Sequence, residues 1–318
     1  MRKDLVSKIF GFIKLSRPQT ALTSLYTSIS ASLSNGNPFE HIDLFKLLLL
    51  YIGVFTSHLA VNVFNDYFDY KKGIDLLTPE TPFSGGSKAL VKKMISVKEA
   101  LYYGVSLLIT ALLIGLYLVF TRGLLTIVFI IGGALILLLY TTVLTRYSLG
   151  ELGIYLKGVL ISLGSYYVVY QDTDFVAFII GSFFGLVSLI ILFANSIPDR
   201  DVDKLFRRKT LVTTIDKHDL WIIYLMISII LFINFWLITF IYVSHMMILN
   251  MTFVALAFLT FILLLLNSLY LRNILFREKF YSEFIKKMIN FMATNIFICR
   301  ILEISVITIL FINILMRD

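Results

Sequence analysis

Residues 44–75 read LFKLLLLYIGVFTSHLAVNVFNDYFDYKKGID. From 44 to about 66 the segment is apolar over a membrane-spanning length. Its far end nevertheless carries Asn62, Asn65, Asp66 and Asp69, and Asp75 follows after Lys71, Lys72 and Gly73. His58, Asn62, Asn65 and Asp69 fall at i, i+4, i+7 and i+11, a single helical stripe, with Asp66 beside it. Ionised groups in such a segment need a partner or a task. A matching place occurs in the other half of the chain. Asn195, Asp199 and Asp203, four residues apart, close the apolar run of 174–197 and are expected to share one helical face.

The rest of the chain sets these clusters in a membrane. It is 58% hydrophobic and 15% charged, with 28 Phe in 318 residues and a mean hydropathy of +0.89. A soluble core cannot bury that much apolar surface. The expected fold is all-α, a multi-span bundle of nine helices near 18–34, 44–66, 100–120, 124–143, 152–170, 174–197, 220–243, 247–271 and 288–315. The first of these, punctuated by Ser and Thr, depends on the helices around it. Basic residues gather from the N-terminus through Arg17 and in Lys71–Lys98, Arg200–Lys217 and Arg272–Lys287, with Arg146 between. Their alternation predicts a cytoplasmic N-terminus, an external C-terminus and acidic clusters on the cytoplasmic side of a cell membrane. The formal charge of +8 is then a topology signal, and no basic stripe with interleaved aromatics is offered to nucleic acid. A lone Cys299 excludes intramolecular disulfides and thiolate metal clusters. No small-residue cleavage pattern follows the first apolar run, so that helix is expected to stay in the mature protein. One membrane domain over 1–318 is expected, with cap loops over 66–99 and 198–219 carrying the acidic motifs.

Mg²⁺ takes oxygen ligands, keeps several waters, and bridges one or two carboxylates to substrate phosphates. Two carboxylate-bearing faces meeting across a bundle could hold a diphosphate in this way, with Asn adding oxygens but no further charge. Solvated helix ends paired to Lys and Arg would explain one cluster and leave the second as a coincidence. In the loop Thr81-Pro82-Phe83-Ser84-Gly85-Gly86-Ser87-Lys88, paired glycines allow the backbone close to an anion, although such runs also simply turn. Of Arg200, Lys204, Arg207, Arg208 and Lys209, one or two could clamp a diphosphate while the others face headgroups. Two readings stay open for His58 (orienting a cluster residue, or packing). The same holds for Arg300 with Glu303 and for Lys157, either internal pairing or a pocket role.

Taken together, the clusters resemble the UbiA superfamily of intramembrane prenyltransferases over most of the chain. Asn62 to Asp75 is similar to the first Asp-rich motif of its menaquinone-biosynthesis branch, which acts on 1,4-dihydroxy-2-naphthoate. Thr81–Lys88 is similar to that branch's Gly-Gly-Ser segment. Tyr140, Thr141, Arg146, Tyr147 and Leu149-Gly150-Glu151 resemble the connection between helices four and five. Gly164–Val168 and Asn195–Leu211 continue the pattern, and Arg17-Pro18-x-Thr20 resembles the first-helix entry. Three positions depart from it: Arg207 stands where a small residue is usual, Ser196 where a second Asn is usual, and the Pro between Tyr140 and Arg146 is absent. These leave the diphosphate machinery intact and bear on the acceptor.

The resemblance implies a central lipid-accessible cavity and Mg²⁺-dependent transfer of an isoprenyl group, geranyl to geranylgeranyl or longer, to an aromatic acceptor with release of diphosphate. It implies Asp66, Asp69, Asp199, Asp203 and Asn65 as ligands of two Mg²⁺ ions. Asn62, Asn65, Asn195, Lys88, Tyr147, Arg208, Lys209 and Arg17 would bind substrate. Arg146 would offset leaving-group charge. Tyr140 and Tyr147 would shield the allylic cation or bond a phosphate oxygen, unless they belong to an interfacial belt. Asp75 would serve metal water or the acceptor's proton. Other acceptors of related enzymes are 4-hydroxybenzoate and geranylgeranylglyceryl phosphate. A transporter is the reading from another class, and it predicts acidic groups near the midplane rather than at one face. No nucleic acid and no obligate protein partner is expected.

Overall fold

The computed structural model describes residues 2–140, 143–244, 247–278 and 280–316, with side chains except those of 2–5, 137, 138, 140 and 146. In chain order the helices are α1 (Arg2–Ser16), α2 (Pro18–Leu33), α3 (Leu44–Lys71), α4 (Ile74–Leu77), α5 (Val97–Arg122), α6 (Thr126–Tyr140) and α7 (Gly150–Tyr170). They continue with α8 (Phe175–Ser196), α9 (Arg200–Leu205), α10 (Leu211–Thr214), α11 (Leu220–Val243), α12 (Met247–Arg277) and α13 (Tyr281–Leu315). No strand occurs among the described residues.

Seven of these helices, α3, α5, α7, α8, α11, α12 and α13, are long and apolar enough to cross a membrane, α11 counted with its leading turn from Lys217. They carry exposed apolar side chains such as Phe120, Phe175 and Ile248, which suit lipid rather than water. The other two expected spans are shorter, 16 residues in α2 and 15 in α6. Several long helices exceed the apolar run that signals them. α3 continues to Lys71 and α13 begins at Tyr281, since helix hydrogen bonding does not stop where hydropathy does. α1 was not foreseen as a helix, because its charges mask an apolar side that packs on α3 and α5.

Despite its polar sequence, α2 is central. It packs on α3, α7, α8 and α13 and buries Ala21, Thr23, Ser24, Thr27, Ser28, Ser30, Ala31 and Ser32. Most of its hydroxyls satisfy themselves on carbonyls one turn back, as Thr27 does on Thr23 O at 2.6 Å, or across the bundle, where Ser28 meets Ser165 at 2.7 Å; Ser30 Oγ is left without a partner. Small side chains let neighbouring backbones approach closely, the usual way helices associate without water to drive them together. α7 and α8 do the same. A Cβ on Gly158 would lie 2.5 Å from Gly185 N, and one on Gly185 would lie 2.5 Å from Tyr155 O.

The two halves of the bundle are filled differently. α8, α11, α12 and α13 pack a solid core around Phe183, Phe193, Phe235 and Phe291. Tyr224 donates to Asn295 Oδ1 at 2.8 Å and accepts from Asn267 Nδ2 at 3.0 Å, tying three of these helices together. α2, α3, α5, α6 and α7, closed by α8 and α13, instead surround a cavity of about 610 Å³. Its wall is mostly apolar, and its polar end is built from Asn62, Asn65, Asn195 and the Thr81–Gly86 loop.

Candidate active site

The polar end begins at the break between α1 and α2. Pro18 opens α2, and Arg17 before it takes a left-handed φ of 45°. This turn sends Arg17 Nη2 to Asp66 Oδ1 at 2.6 Å. Asp66 is buried near the end of α3, and its other oxygen accepts from Ser87 N at 2.9 Å. Asn62, one turn earlier, donates to Ser16 O at 2.7 Å and Thr20 Oγ1 at 2.9 Å. The first motif therefore fastens α3 to the α1–α2 turn and to the Gly-Gly-Ser loop together.

Gly73, at φ 83°, ends α3 and starts α4, which places Asp75 in the interior. The loop folds back so tightly that glycine is required twice. A Cβ on Gly86 (φ 73°) would lie 2.7 Å from Asp75 Oδ1, and one on Gly85 (φ 80°) would lie 2.0 Å from Pro79 O. Lys88, also left-handed at φ 59°, is buried. Its ammonium donates to Asp75 O at 2.5 Å and to Thr78 O and Thr78 Oγ1 at 2.9 Å each. Those three bonds use its three protons. Lys88, expected to bind substrate, braces the loop instead.

The second motif departs from the expected geometry. α8 stops at Ser196, two residues before Pro198, and Asp203 belongs to the new short helix α9. Asn195, Asp199 and Asp203 are thus not on one continuous helix face, because proline ended the helix between them. The break turns Asp199 toward the first loop, where Gly85 N donates to its Oδ2 at 3.0 Å. Arg208 joins the clusters: it hydrogen-bonds Asp203 Oδ1 at 3.2 Å through Nη1 and pairs with Asp69 Oδ1 through Nη2. Behind it, Arg207 has a φ of 56°, the conformation a small residue takes without strain. Glu151 Oε1, at the start of α7, accepts from Leu211 N at 2.6 Å and anchors the same loop.

Burial weakens the ionised form of these acids. It pushes Asp75 up to about 8, with Asp66 and Asp69 adding to the effect. It raises Asp199 to about 7, with Asp203 contributing, and it raises Asp203 against the pull of Arg208. A bound cation would restore the ionised form, since carboxylate ligands of a metal must be deprotonated. Among the described residues no three His, Cys, Asp or Glu side chains converge into a ready cation cage. Two oxygens, however, Asn195 Oδ1 and Asp199 Oδ1, are buried without a hydrogen-bond partner. Buried orphan acceptors beside carboxylates suit a hard cation that completes its shell with substrate phosphate and water.

The remaining expected site residues scatter. Tyr147 is 69% exposed and does not line the cavity. The Lys209 side chain is exposed, while its backbone N–H holds Thr145 O at 2.7 Å. Neither is placed to touch a substrate in the cavity. The side chains of Tyr140 and Arg146 lie outside the described residues. His58 lines the cavity and shares a 2.6 Å hydrogen bond with Ser24. Arg300 lines it too, pairing with Glu303 at 2.5 Å and donating to Thr23 Oγ1 and Gln19 O. Thr23 and Ser24 were not anticipated, since small hydroxyls in a central helix carry no spacing signal. Thr20 and Glu151 entered only within stretches that resemble the family, with no role of their own.

A helical bundle of membrane-spanning length, hollow in one half and acidic at one end of the hollow, is the build of a membrane enzyme for amphiphilic substrates. The model of the UbiA prenyltransferase family matches residues 25–285, and the chain belongs to that family. The structure of digeranylgeranylglyceryl phosphate synthase in membranes is similar, with 20% identity over 94% of this chain and 98% of that one and a TM-score of 0.55. A UbiA homologue from Archaeoglobus fulgidus bound to DMAPP and Mg²⁺ has 14% identity and a TM-score of 0.61. Bound to GPP and Mg²⁺, it has 13% identity and a TM-score of 0.60; each covers 91% of this chain and 99% of that one. At these identities the likeness concerns the fold. No protein of curated function matches the sequence.

Proposed function

We propose that the protein transfers an isoprenyl group from an isoprenyl diphosphate to an aromatic acceptor of the 1,4-dihydroxy-2-naphthoate type. The observation carrying this reading is the meeting of the two acidic clusters, through Arg208 and Gly85, at the polar end of a long apolar cavity. The prenyl tail lies along the apolar wall, and the diphosphate sits among Asn62, Asn65, Asn195 and the Thr81–Gly86 loop. Asp66, Asp69, Asp199 and Asp203, with the Asn65 and Asn195 oxygens, would hold Mg²⁺, which when bound offsets the charge of the departing diphosphate.

Arg17 and Arg208, each on a carboxylate of the acidic clusters in the ligand-free chain, turn to the diphosphate as it loads and stabilise it as it leaves. The C1–O bond of the prenyl diphosphate breaks, and diphosphate takes the electron pair. A ring carbon of the acceptor supplies the pair for the new C–C bond, and the ring proton goes to water, or to Asp75 in its ionised form, the minority form at neutral pH in the ligand-free chain. The enclosed apolar wall keeps water from capturing the allylic cation first. The basic segments orient the polar end to the cytoplasm, with α2 and α6 completing nine spans. The segments 66–99 and 198–219 act as a single cap over one domain.

A second reading, prenyl transfer to a glyceryl phosphate lipid, is suggested by the fold shared with digeranylgeranylglyceryl phosphate synthase. One experiment tests both: radiolabelled geranyl, farnesyl and geranylgeranyl diphosphates are offered with dihydroxynaphthoate, 4-hydroxybenzoate and geranylgeranylglyceryl phosphate, with and without Mg²⁺. Metal-dependent product that disappears in Asp66→Ala and Asp199→Ala supports prenyl transfer, and the acceptor used decides between the readings. Failure of folded protein to bind prenyl diphosphate with Mg²⁺ would return the transporter to the front.

A further inference from the structure

Among the described residues, four basic side chains line the cavity: Arg17, His58, Lys157 and Arg300. Three have partners. Arg17 pairs with Asp66, Arg300 with Glu303, and His58 shares a hydrogen bond with Ser24. Lys157 differs. It lies on the cavity face of α7 with Ile154, Ile161, Gly164 and Ser165. Among the described residues, no carboxylate stands within salt-bridge distance of its ammonium and no acceptor within hydrogen-bond distance. The acid whose charge reaches it, Glu303, is paired with Arg300 through Oε2 and leaves Oε1 without a hydrogen-bond partner, so two cations share one carboxylate.

This leaves one positive charge unbalanced in an apolar enclosure, an arrangement that is costly until an anion arrives. Its depth argues against the prenyl diphosphate as that anion. Lys157 lies six residues along α7 from Glu151, which touches the second acidic loop; at 1.5 Å per residue this is a drop of about 9 Å. His58 likewise sits one turn below Asn62, and the charges of Lys157, Arg17 and Arg300 all reach it. The wall one to two turns below the acidic clusters is therefore cationic and polar, set into an otherwise apolar lining.

We infer that Lys157 is the counter-charge for the second substrate, and that this substrate is an anion, with its carboxylate or phosphate group seated against Lys157, Arg300 and the His58–Ser24 pair. The assignment rests on the prenyl-transfer reading, since it names the class of acceptor for that reaction. Carboxylated aromatics and phosphate-bearing lipids share the required chemistry.

Binding tests it without turnover. Full-length chain in nanodiscs is loaded with Mg²⁺ and geranyl thiolodiphosphate, a slowly reacting analogue. It is then titrated with 1,4-dihydroxy-2-naphthoate, with geranylgeranylglyceryl phosphate and with uncharged 1,4-dihydroxynaphthalene. In Lys157→Met, an unbranched apolar replacement, the anion that binds wild type should weaken by on the order of 10- to 100-fold, the worth of a charge-assisted hydrogen bond. Lys157→Arg should recover most of that affinity. The uncharged ring and the thiolodiphosphate should bind as before. Which anion binds separates the carboxylate from the phosphate lipid. The inference is overturned if neither anion binds wild type, if Lys157→Met leaves anion affinity unchanged, or if it weakens the uncharged ring or the thiolodiphosphate equally. Absence of Mg²⁺-dependent thiolodiphosphate binding in folded wild type is a separate result, which sinks the prenyl-transfer reading and this assignment with it.

Discussion

Arg208→Ala separates a structural bridge from a placeholder for metal. Arg208 joins Asp69 on α3 to Asp203 on α9, and its side chain is 18% exposed, against 18% and 8% for the two acids. Removing one partner of a buried pair strands the others and costs about 3–5 kcal/mol. Partial exposure and the raised pKa of Asp203, which lets it neutralise itself, reduce this to roughly 2–3 kcal/mol. At roughly 2 °C per kcal/mol for a chain of this size, the ligand-free variant should unfold about 4–6 °C below wild type in detergent. With saturating Mg²⁺ and geranyl diphosphate the gap should close to less than half, because a cation then stands between the same carboxylates. Turnover should stay low even so, by on the order of 10²-fold, since the leaving diphosphate has lost a donor. Thermal unfolding with and without ligands reads the first two, and radiolabelled prenyl transfer reads the third. An equal Tm gap in both states would refute the placeholder reasoning, and full activity in the variant would remove Arg208 from the site.

Three other outcomes follow from the same geometry. Between the ordinary carboxylate value of 3.8 and the raised values of about 7 for Asp199 and about 8 for Asp75, the folded ligand-free chain holds protons that the unfolded chain has released. Its stability should therefore fall as pH rises through that window, while Mg²⁺ affinity should rise; calorimetry at pH 6 and pH 8.5 showing tighter binding at the lower pH would contradict the burial argument. Gly86→Ala puts a Cβ against the Asp75 carboxylate in a left-handed backbone, so prenyl diphosphate binding should weaken at least tenfold, read by Mg²⁺-dependent titration. Lys88→Met removes three hydrogen bonds inside the loop and none to substrate; limited proteolysis should cut near 78–88 sooner, and a KM change without faster cleavage would restore Lys88 as a substrate contact.

Much of the architecture could be read from hydropathy, because solvation by lipid acts on each segment separately. A run such as 175–196 declares itself without reference to its neighbours, and Asp66 and Asp199 stand out because charge is rare there. Helix ends were less legible. α3 outruns its apolar segment, and α1 hides its packing side among charges.

The site divides along the same line. The sequence alone determined which residues have the chemistry for a diphosphate: carboxylates and amides in two clusters, two glycines in a loop, arginines beside them. Residue type and spacing along one helix are local properties. Only the tertiary structure decided how those groups are used, because that depends on distances between residues far apart in the chain. It brought Arg208 onto Asp69 and Asp203, Gly85 onto Asp199, and Arg17 onto Asp66. It turned Lys88 inward to its own loop and Tyr147 out to the surface. It also left Lys157 facing the cavity with no carboxylate among the described residues within salt-bridge distance. A side chain's partner is set by how the helices pack, and packing is a property of all of them at once.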